Sequence, residues 1–453
     1  MVILKRRRLY VWLVKAYIKK WGKTIFFSFI FGLIAFFIFR SSFSYVISKI
    51  PFVQHREIGM VGAYTTDALP SSILLNISTG LTKVENDGSV KPSVSKEWQI
   101  KDSGKTYIFK LKKDLVFSDK SALVSDSINY NFKDVTIEKP DKETIIFKLK
   151  NVYSPFLITV SQPIYKKNFV GISDYKIKSI KLNGNFVQTL ILEDVKNKNT
   201  LTYQFYPSEE SLKLAFALGE VSEIINVHNT TFKDSTLATF KNANLNKKTD
   251  YSTLTTIFYN TQDKLLSDKK LRKALDYALP DSFKEGERNH TPYSPNIWVN
   301  KGEIDDKFQD IEKAKDLLDQ VMETASASGV IKIELKTLEK YRNMALTVKK
   351  AWEKIGIKSE IQIVDQRPDQ FQAFLGEFSI PKDPDQYSLW HSDQPNNITK
   401  YKNLRIDKLL EDGRETTDTE KRRKIYLDFQ KYLLDDTPAS FIVNPYVFDI
   451  VRR

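Results

Sequence analysis

The alternation of strand-like and helix-like segments limits this chain to a small set of folds. Apolar and mostly polar side chains alternate along residues 106–111, which predicts a strand. Residues 144–149 predict another strand. Residues 209–218 repeat apolar positions at helical spacing before Gly219, a residue that favours a left-handed helix end. Strands that alternate with helices indicate an α/β protein, and 453 residues leave room for two or more lobes.

The positive charge of the chain is concentrated near its start. The formal net charge is +14, but residues 1–56 contain eleven Lys or Arg residues and no Asp or Glu. Residues 57–453 therefore carry only +3, with charges of both signs mixed along them. A protein that binds nucleic acid through a basic surface would show a larger excess there, so we expect no nucleic-acid partner.

The sequence lacks the residue patterns of common enzymes. Cysteine is absent, which excludes disulfide bonds, thiolate metal sites, a cysteine nucleophile and membrane attachment through a lipid-modified cysteine. The four histidines are not spaced as a metal-binding pair. We find no P-loop, no Gly-x-Ser-x-Gly and no dinucleotide-binding glycine pattern. We therefore expect no catalytic residue, no metal site and no cofactor.

One apolar stretch predicts a membrane anchor. The sixteen residues 24–39 carry no charge, and apolar character continues to residue 47. A spanning helix needs roughly 20 apolar residues, and basic side chains at its ends can reach the membrane surface. The basic leader, residues 1–23, places the N-terminus in the cytoplasm, and no small-x-small cleavage site follows the stretch. We expect an uncleaved transmembrane signal anchor at 24–47, a linker at 48–56, and the rest of the chain in an extracytoplasmic position.

A series of short motifs occurs in order along the chain. The first are Gly80-Leu81-Thr82, Pro92, Trp98, Asp102-Ser103-Gly104-Lys105 with the alternating Tyr107, Phe109 and Leu111, then Phe117 and Asp126. Further motifs are Tyr206–Leu212, Leu218–Val221, Phe258–Asn260, Leu271–Ala278 and Trp352–Ile357. Each is weak alone. Their shared order resembles the extracytoplasmic solute-binding proteins of family 5, the oligopeptide, dipeptide and nickel class that delivers ligands to ABC importers.

The resemblance implies a two-lobed α/β fold like that of periplasmic binding proteins, of the type II, large oligopeptide-binding class. We place lobe I at residues 57–260, with an extra subdomain at about 106–190. Lobe II is expected at 261–435, and a strand returning to lobe I at 436–453. A peptide or peptide-like solute would be held between the lobes and passed to ABC permease subunits. The resemblance also implies a monomeric, non-enzymatic receptor.

The segment 383–391 contains the main site candidates, because family members carry a similar Asp-Pro-Asp-x-Tyr step in the wall of the ligand cleft. The candidates are Asp383, Asp385, Tyr387, Trp390 and His391. An alternative interpretation is structural, with Asp383 as the N-cap of a helix and Pro384 in its first position. Tyr387 and Trp390 are equally compatible with ordinary core packing.

One departure from the family pattern affects the expected ligand. Dipeptide binders of the family place an aspartate a few residues before the Asp-Pro-Asp step, where it pairs with the α-ammonium of the ligand. In this chain that position is Ile380, which cannot neutralise a buried ammonium. Either Glu377 or Asp383 takes the role, or the ligand is not a peptide with a free amine.

Two further pairs are cleft candidates by position. Tyr64 and Thr65 come at the end of the first predicted strand, residues 61–66. Tyr259 and Asn260 lie at the strand that resembles the family's crossover between lobes. Either tyrosine is also compatible with a buried aromatic position.

Two other functions are compatible with parts of the sequence. A sensor or surface-assembly protein would keep the same fold without a transport partner. A hydrolase acting on cell-wall peptides would need a nucleophile or a metal constellation, and neither is found in the sequence.

Overall fold

The computed structural model describes residues 2–49, 54–300, 308–325 and 330–453. Its helices are α1 (Val2–Lys49), α2 (Ser71–Ile77), α3 (Phe156–Thr159), α4 (Glu209–Leu218), α5 (Lys269–Tyr277), α6 (Ile311–Ala325), α7 (Arg342–Glu353), α8 (Tyr387–Trp390), α9 (Leu404–Glu415) and α10 (Thr419–Asp436). Its strands are β1 (His55–Val61), β2 (Thr82–Val84), β3 (Val90–Pro92), β4 (Ser95–Lys101), β5 (Thr106–Leu111), β6 (Val135–Asp141), β7 (Thr144–Leu149), β8 (Tyr175–Asn183), β9 (Phe186–Asp194), β10 (Thr200–Tyr206), β11 (Glu223–Val227), β12 (Thr231–Phe232), β13 (Ser235–Thr236), β14 (Ala243–Thr249), β15 (Thr253–Tyr259), β16 (Gly286–Arg288), β17 (Lys332–Leu338), β18 (Lys358–Val364), β19 (Ala373–Ser379) and β20 (Ala439–Arg452).

The chain divides into two compact units. The first comprises Met1–Gln54 and Asn197–Asn199, and the second comprises His55–Lys196 and Thr200–Arg453. Each is a separate body, and the second holds all of the strands of the described residues.

The first unit consists mainly of α1. Within the described residues, no single helix combines the length and the apolar composition needed to cross a membrane. The segments Val14–Thr24 and Phe26–Phe37, bent by 57° relative to each other, meet both criteria only as a pair. Residues 50–53 of the linker predicted at 48–56 lie outside the described residues.

A sheet of twelve strands runs through the second unit. Its main path has the order β18-β17-β19-β15-β20-β11-β1-β10-β9-β8, and β14 and β16 also pair with β20. β20 belongs to both halves, since Ala439–Val443 pair with β15 and Phe448–Val451 pair with β11. We call the half with β1 and β8–β11 lobe I, and the half with β15–β19 lobe II. The two-lobed α/β organisation predicted from the sequence is present.

Helices cover both faces of the sheet in lobe II. On one face, α5, α6 and α7 pack around the fully buried Trp352. On the other face, α8, α9 and α10 enclose an aromatic core that includes Tyr426 and Phe429. In lobe I, α2 and α4 bury Ile77 and Phe216 against their own sides of the sheet. Burial on both faces explains why these strands are rich in apolar residues.

The inserted subdomain differs from the range predicted for it. Its four-stranded sheet has the order β4-β5-β7-β6 and begins at Ser95, before residue 106. β8 and β9, predicted to belong to it up to residue 190, lie instead in the long sheet, where β9 pairs with β10 and β8 pairs with β9. The subdomain's own core extends from Leu81 to Ile164. The lobe II sheet likewise begins at β15, ahead of the predicted boundary at 261.

Candidate functional site

The parallel strands of lobe I end at the edge that faces lobe II. β1 runs parallel to β10 and to β11. β11 is antiparallel to β20, with Ile224 opposite Ile450 and Val227 opposite Phe448. Because β20 enters from lobe II, the carboxyl end of β11 lies nearer to lobe II than its amino end. The loops that follow β1, β10 and β11 therefore share this edge.

The parallel strands of lobe II point in the opposite direction. β17 is parallel to β18 and β19, and β19 is antiparallel to β15, with Ser379 opposite Thr253. Thr253 is the first residue of β15. It follows β14 along the chain and therefore lies at the end of β15 that is nearer to lobe I. The carboxyl edges of the two lobes therefore face each other across the crossing strands. In open α/β sheets, ligands bind outside the carboxyl ends of the strands, which makes this cleft the candidate site.

Tyr64 and Thr65 lie at the lobe I edge of this cleft. β1 ends at Val61, so both residues belong to the loop after the strand and not to a strand at 61–66. The Tyr64 hydroxyl donates to the Val61 carbonyl at 3.3 Å, and its ring packs edge-on against Phe205. Both side chains are half-buried. Their position supports the sequence prediction, and a contact with solute stays a proposal.

Tyr259 and Asn260 lie at the other end of lobe II, away from the cleft. Tyr259 pairs with Ala373, the first residue of β19, because β15 runs away from lobe I. Its side chain is fully buried, with the hydroxyl 2.7 Å from Ser440 Oγ. Asn260 donates to the Phe371 carbonyl at 3.1 Å and stabilises the local turn. The structure therefore does not bring this pair to the carboxyl edge of lobe II, because motif order alone does not give strand direction.

Asp383 is held in a buried ion pair rather than at a helix end. Its carboxylate receives two hydrogen bonds from Arg422, at 2.9 Å and 2.5 Å, and both side chains are about nine-tenths buried. Burial alone would lower the pKa of Arg422, but the charge of Asp383 outweighs burial and raises it. Helix α8 has Gln386 as its N-cap. The interpretation of Asp383 as a helix cap was therefore wrong.

Asp385 joins lobe II to the inserted subdomain through Arg414. Arg414 Nε donates to Asp385 at 2.8 Å, and its guanidinium lies over the rings of Tyr387 and Tyr153. The Arg414 carbonyl accepts a hydrogen bond from the backbone N–H of Ser154 at 2.7 Å. Burial raises the pKa of Asp385 above its ordinary value, against the opposing charge of Arg414. The Asp-Pro-Asp step thus supports the contact between subdomain and lobe II.

Trp390 and His391 pack inside lobe II. Trp390 is 2% exposed, and its indole N–H donates to the Gln386 side chain at 2.7 Å. His391 stacks on Tyr387 with ring centroids 4.1 Å apart, and its Nε2 lies 3.5 Å from Glu411. The structure therefore packs segment 383–391 as one group within lobe II, with Asp383, Asp385 and Tyr387 in contact with two arginines, and a contact of these residues with solute stays a proposal.

Neither carboxylate that could replace the aspartate expected at position 380 is free. Ile380 is buried in the aromatic core of lobe II. Asp383 is paired with Arg422. Glu377 accepts from Lys340 Nζ at 2.7 Å and from the Tyr341 hydroxyl. Both candidates for an ammonium partner are thus already neutralised by groups of the protein.

A polar cluster that sequence reasoning missed lies at the lobe I edge. Glu209, in the first turn of α4, accepts from the ring Nδ1 of His228 at 2.8 Å and pairs with the buried Lys213 at 3.0 Å. Burial would raise the pKa of Glu209, but hydrogen bonds from His228 and Lys213 lower it to about 2. The sequence could have indicated this cluster, because Glu209 and His228 come shortly after β10 and β11, which both run parallel to β1.

No metal centre is found in the part of the chain that the structure describes, where no three His, Cys, Asp or Glu side chains are arranged to hold an ion. The arginines at 414 and 422 were also missed from the sequence. They lie 29 and 39 residues beyond their aspartate partners, and no local pattern marks such pairs.

Comparison with known proteins agrees with the geometry. The family model for the middle part of the bacterial extracellular solute-binding proteins, family 5, matches residues 89–400. The oligopeptide-binding protein AppA of Bacillus subtilis is 27% identical, over 84% of this chain and 83% of AppA. Di/tripeptide-binding protein 1 of Pseudomonas aeruginosa is 24% identical, over 86% of this chain and 87% of that protein.

Solved structures share the fold. CtaP from Listeria monocytogenes, an ABC transporter substrate-binding protein, superposes with a TM-score of 0.73 at 21% identity, over 88% of this chain and 94% of CtaP. AppA from Bacillus subtilis, solved with a nonapeptide, gives a TM-score of 0.65 at 23% identity, over 88% and 95% of the two chains. With more than half of its length matched by the family model, this chain belongs to family 5 of the bacterial extracellular solute-binding proteins.

Proposed function

We propose that this protein is an extracytoplasmic receptor that holds a peptide or peptide-like solute between its lobes and delivers it to an ABC permease. The family match over residues 89–400 carries the proposal. Two features support it: the facing carboxyl edges of lobes I and II, and the relatives that are named as peptide-binding proteins. The receptor acts as a monomer.

The lobes close around the solute by a hinge motion. Among the strands that the structure describes, only the β14–β15 connection and β20 run between the two halves of the long sheet, so bending is concentrated there. A solute that contacts both carboxyl edges stabilises the closed state by its difference in affinity for the two states. The permease then distinguishes loaded from empty receptor by shape.

The proposal includes attachment to the membrane by residues 24–47, with the N-terminus in the cytoplasm. The uncharged stretch 24–39 and the eight basic residues that precede it support this orientation. Proteolysis of intact cells from outside should remove residues 55–453 and leave an N-terminal fragment in the membrane. Release of the protein into the medium or periplasm without added protease, and with a shortened N-terminus, would contradict the anchor.

Native mass spectrometry of the full-length protein, released from detergent, tests the binding function directly. We expect a set of peptide masses bound with a stoichiometry of one. The control is protein that was unfolded, dialysed and refolded, which should show the free mass and regain the ligand from a peptide library. If only the mass of the ligand-free protein is detected, both before and after incubation with the peptide library, peptide binding is contradicted.

Delivery to a permease needs a separate measurement. Affinity purification of the tagged full-length protein from its native membranes should recover ABC permease subunits, more so with bound solute. Recovery of surface-assembly or signalling proteins without a permease would contradict transport and leave solute binding intact.

A further inference from the structure

The inserted subdomain contains a pocket that uses no residue of the two facing carboxyl edges. All of its lining residues lie between positions 131 and 159. Its volume is about 360 Å³, and pockets for small molecules have volumes of roughly 300–1,000 Å³. The pocket is therefore large enough for a small ligand of its own.

Aromatic side chains form the floor of this pocket. Phe132 stacks on Tyr130 with ring centroids 5.0 Å apart, and it meets Phe156 edge-on at 5.8 Å. Phe156 is 2% exposed, whereas Phe132 and Tyr153 are half-buried and line the pocket with it. Because its two neighbours hold the Phe132 ring in place, the floor is ordered before a ligand arrives, which favours binding.

Exposed polar side chains surround the floor as a rim. They are two amides, two ammonium groups and one carboxylate: Asn131, Asn151, Lys133, Lys150 and Asp134. Within the described residues, none of these five side chains has an ion pair or a hydrogen bond. Two positive charges and one negative charge leave the rim with a net charge of +1. The rim therefore offers donors and acceptors that no other part of the described chain uses.

The ends of β6 and β7 bring the two lysines together. Val135, the first residue of β6, pairs with Leu149, the last residue of β7. Just beyond this pair, the Lys150 backbone N–H donates to the Asp134 carbonyl at 3.1 Å. Lys133 directly precedes Asp134, so the backbones of the two lysines lie beside each other. The positive charge is therefore concentrated at one side of the rim.

Floor and rim together select one class of ligand. The face of an aromatic ring is electronegative and attracts polarised C–H groups such as those of a pyranose ring. Amide side chains both donate and accept, as sugar hydroxyls do, and a carboxylate accepts from hydroxyls. The ammonium groups match a carboxylate of the ligand. An apolar carboxylic acid would leave the amides unused, and Asp134 would repel it without accepting a hydrogen bond in return.

We infer that this pocket binds a pyranose sugar with one carboxylate, its ring on Phe132 and its carboxylate at Lys133 and Lys150. Such a site lies beyond the proposed function and does not depend on it, because it gives the inserted subdomain a ligand separate from the solute in the cleft. The sugar is either free or one residue of a glycan chain, and both forms present the same ring and carboxylate.

Saturation-transfer NMR and isothermal titration calorimetry with the full-length protein test this assignment. The acidic probes are glucuronate, galacturonate and N-acetylmuramate, and their neutral parents are glucose, galactose and N-acetylglucosamine. At least one acid should bind about tenfold or more tightly than its parent, because hydrogen bonds to charged groups are the stronger ones. Cyclohexanecarboxylate has a ring and a carboxylate but no hydroxyls, and it should bind roughly tenfold more weakly than that acid.

Three variants assign the binding to the pocket. Lys133→Gln combined with Lys150→Gln should bring the affinity ratio of acid to parent towards one. Phe132→Leu should weaken acid and parent alike, by roughly two- to tenfold. Lys142→Gln is the matched control, because Lys142 is exposed between β6 and β7 and does not line the pocket. It should leave both affinities unchanged, and all circular dichroism spectra should match that of the wild type.

The outcomes separate this site from the cleft. Saturation with the peptides recovered from native mass spectrometry should leave the affinity for the acid unchanged, and displacement of the acid by peptide would overturn the separate site. Failure of all three acids to bind, or an affinity ratio that persists in the double lysine variant, would also overturn it. Neither result bears on the receptor proposal. If no peptide binds, the receptor proposal fails, and the three variants decide the sugar site alone.

A methyl glycoside of the acid that binds distinguishes the two sources of the sugar. Its blocked anomeric position resembles that of a residue in a glycan chain. Affinity equal to that of the free acid would assign the pocket to a glycan, and loss of affinity would assign it to the free sugar.

Discussion

Asp383 is paired with Arg422 at the start of α10, and Asp385 is paired with Arg414 at the end of α9. This pairing gives both aspartates a structural role. A buried charge is costly unless its partner is well placed. Arg422 also donates to the Gly413 carbonyl at 2.8 Å, so it ties the end of α9 to the Asp-Pro-Asp step. These aspartates therefore hold the start of α8 against α9 and α10, and they are not available as the solute's counter-charge.

Removing both partners of the Asp383–Arg422 pair should cost less than the sum of the two single removals. Asp383→Asn or Arg422→Met alone leaves a buried group without its partner and should lower the free energy of unfolding by about 3–5 kcal/mol. The double variant should cost less than the sum of the two by about 1–3 kcal/mol. Urea unfolding followed by tryptophan fluorescence measures all four proteins. Strict additivity would show that the pair contributes no coupling.

The lowered pKa of Glu209 predicts a pH-dependent contribution to stability. Its folded-state pKa, about 2, lies below the ordinary 4.5, so the contribution is present above pH 4.5 and is lost as pH falls through 2. Glu209→Gln should therefore destabilise the protein by about 2 kcal/mol at pH 7 and by much less at pH 3.

Thermal unfolding from pH 3 to pH 7 checks this expectation. Glu210→Gln is the matched control, because Glu210 is an exposed neighbour in the same helical turn. A difference between wild type and Glu209→Gln that stays constant with pH would contradict the linkage.

At the scale of elements, a short loop forms a second contact between the inserted subdomain and lobe II. The Asp87 carbonyl between β2 and β3 accepts a hydrogen bond from the Trp298 backbone N–H at 2.9 Å. Gly88 has φ +77, and a Cβ atom there would lie 2.4 Å from the Lys382 carbonyl oxygen. Only glycine combines this backbone conformation with such close packing.

Two glycine variants separate backbone strain from packing. Gly184, at the tip of the β8–β9 hairpin, has φ +59 and no neighbour within 4 Å of a Cβ atom. Gly184→Ala should therefore cost only about 1 kcal/mol from its left-handed conformation. Gly88→Ala should cost more and should speed amide hydrogen exchange around Trp298. Equal costs with unchanged exchange would show that the loop does not secure the subdomain.

Local patterns predicted individual elements well and long-range partners poorly. The helix predicted at 209–218 matches α4, and Gly219 takes the left-handed conformation at its end, with φ 86. The strand predicted at 144–149 matches β7. The distant arginine partners of Asp383 and the assignment of β8 and β9 to the long sheet depend on pairings across the fold. Neither is encoded by the spacing of neighbouring residues.

At the scale of the molecule, the two lobes share one sheet and are linked by few strands. This arrangement favours bending at the crossing strands over sliding of one lobe on the other. The absence of cysteine allows two labels to be placed without other changes. Leu182 in lobe I and Leu346 in lobe II are both exposed and suit substitution by cysteine.

Single-molecule fluorescence transfer between these two positions should report closure. Adding the peptides recovered from native mass spectrometry should replace a broad distance distribution by a narrower one. A second pair, Leu182 and Leu218, lies within lobe I and should show no change. An unchanged distribution for both pairs in the presence of bound peptide would contradict the hinge.

The position of β20 also determines when the protein can fold. Among the described strands it is the last to be synthesised, yet it lies between β15 and β11 in the middle of the sheet. Until it emerges, each lobe lacks a central strand and exposes the unpaired edge of its neighbour. Neither half of the sheet can therefore complete its fold until β20 is available, so we expect the two lobes to become compact late and together rather than one after the other.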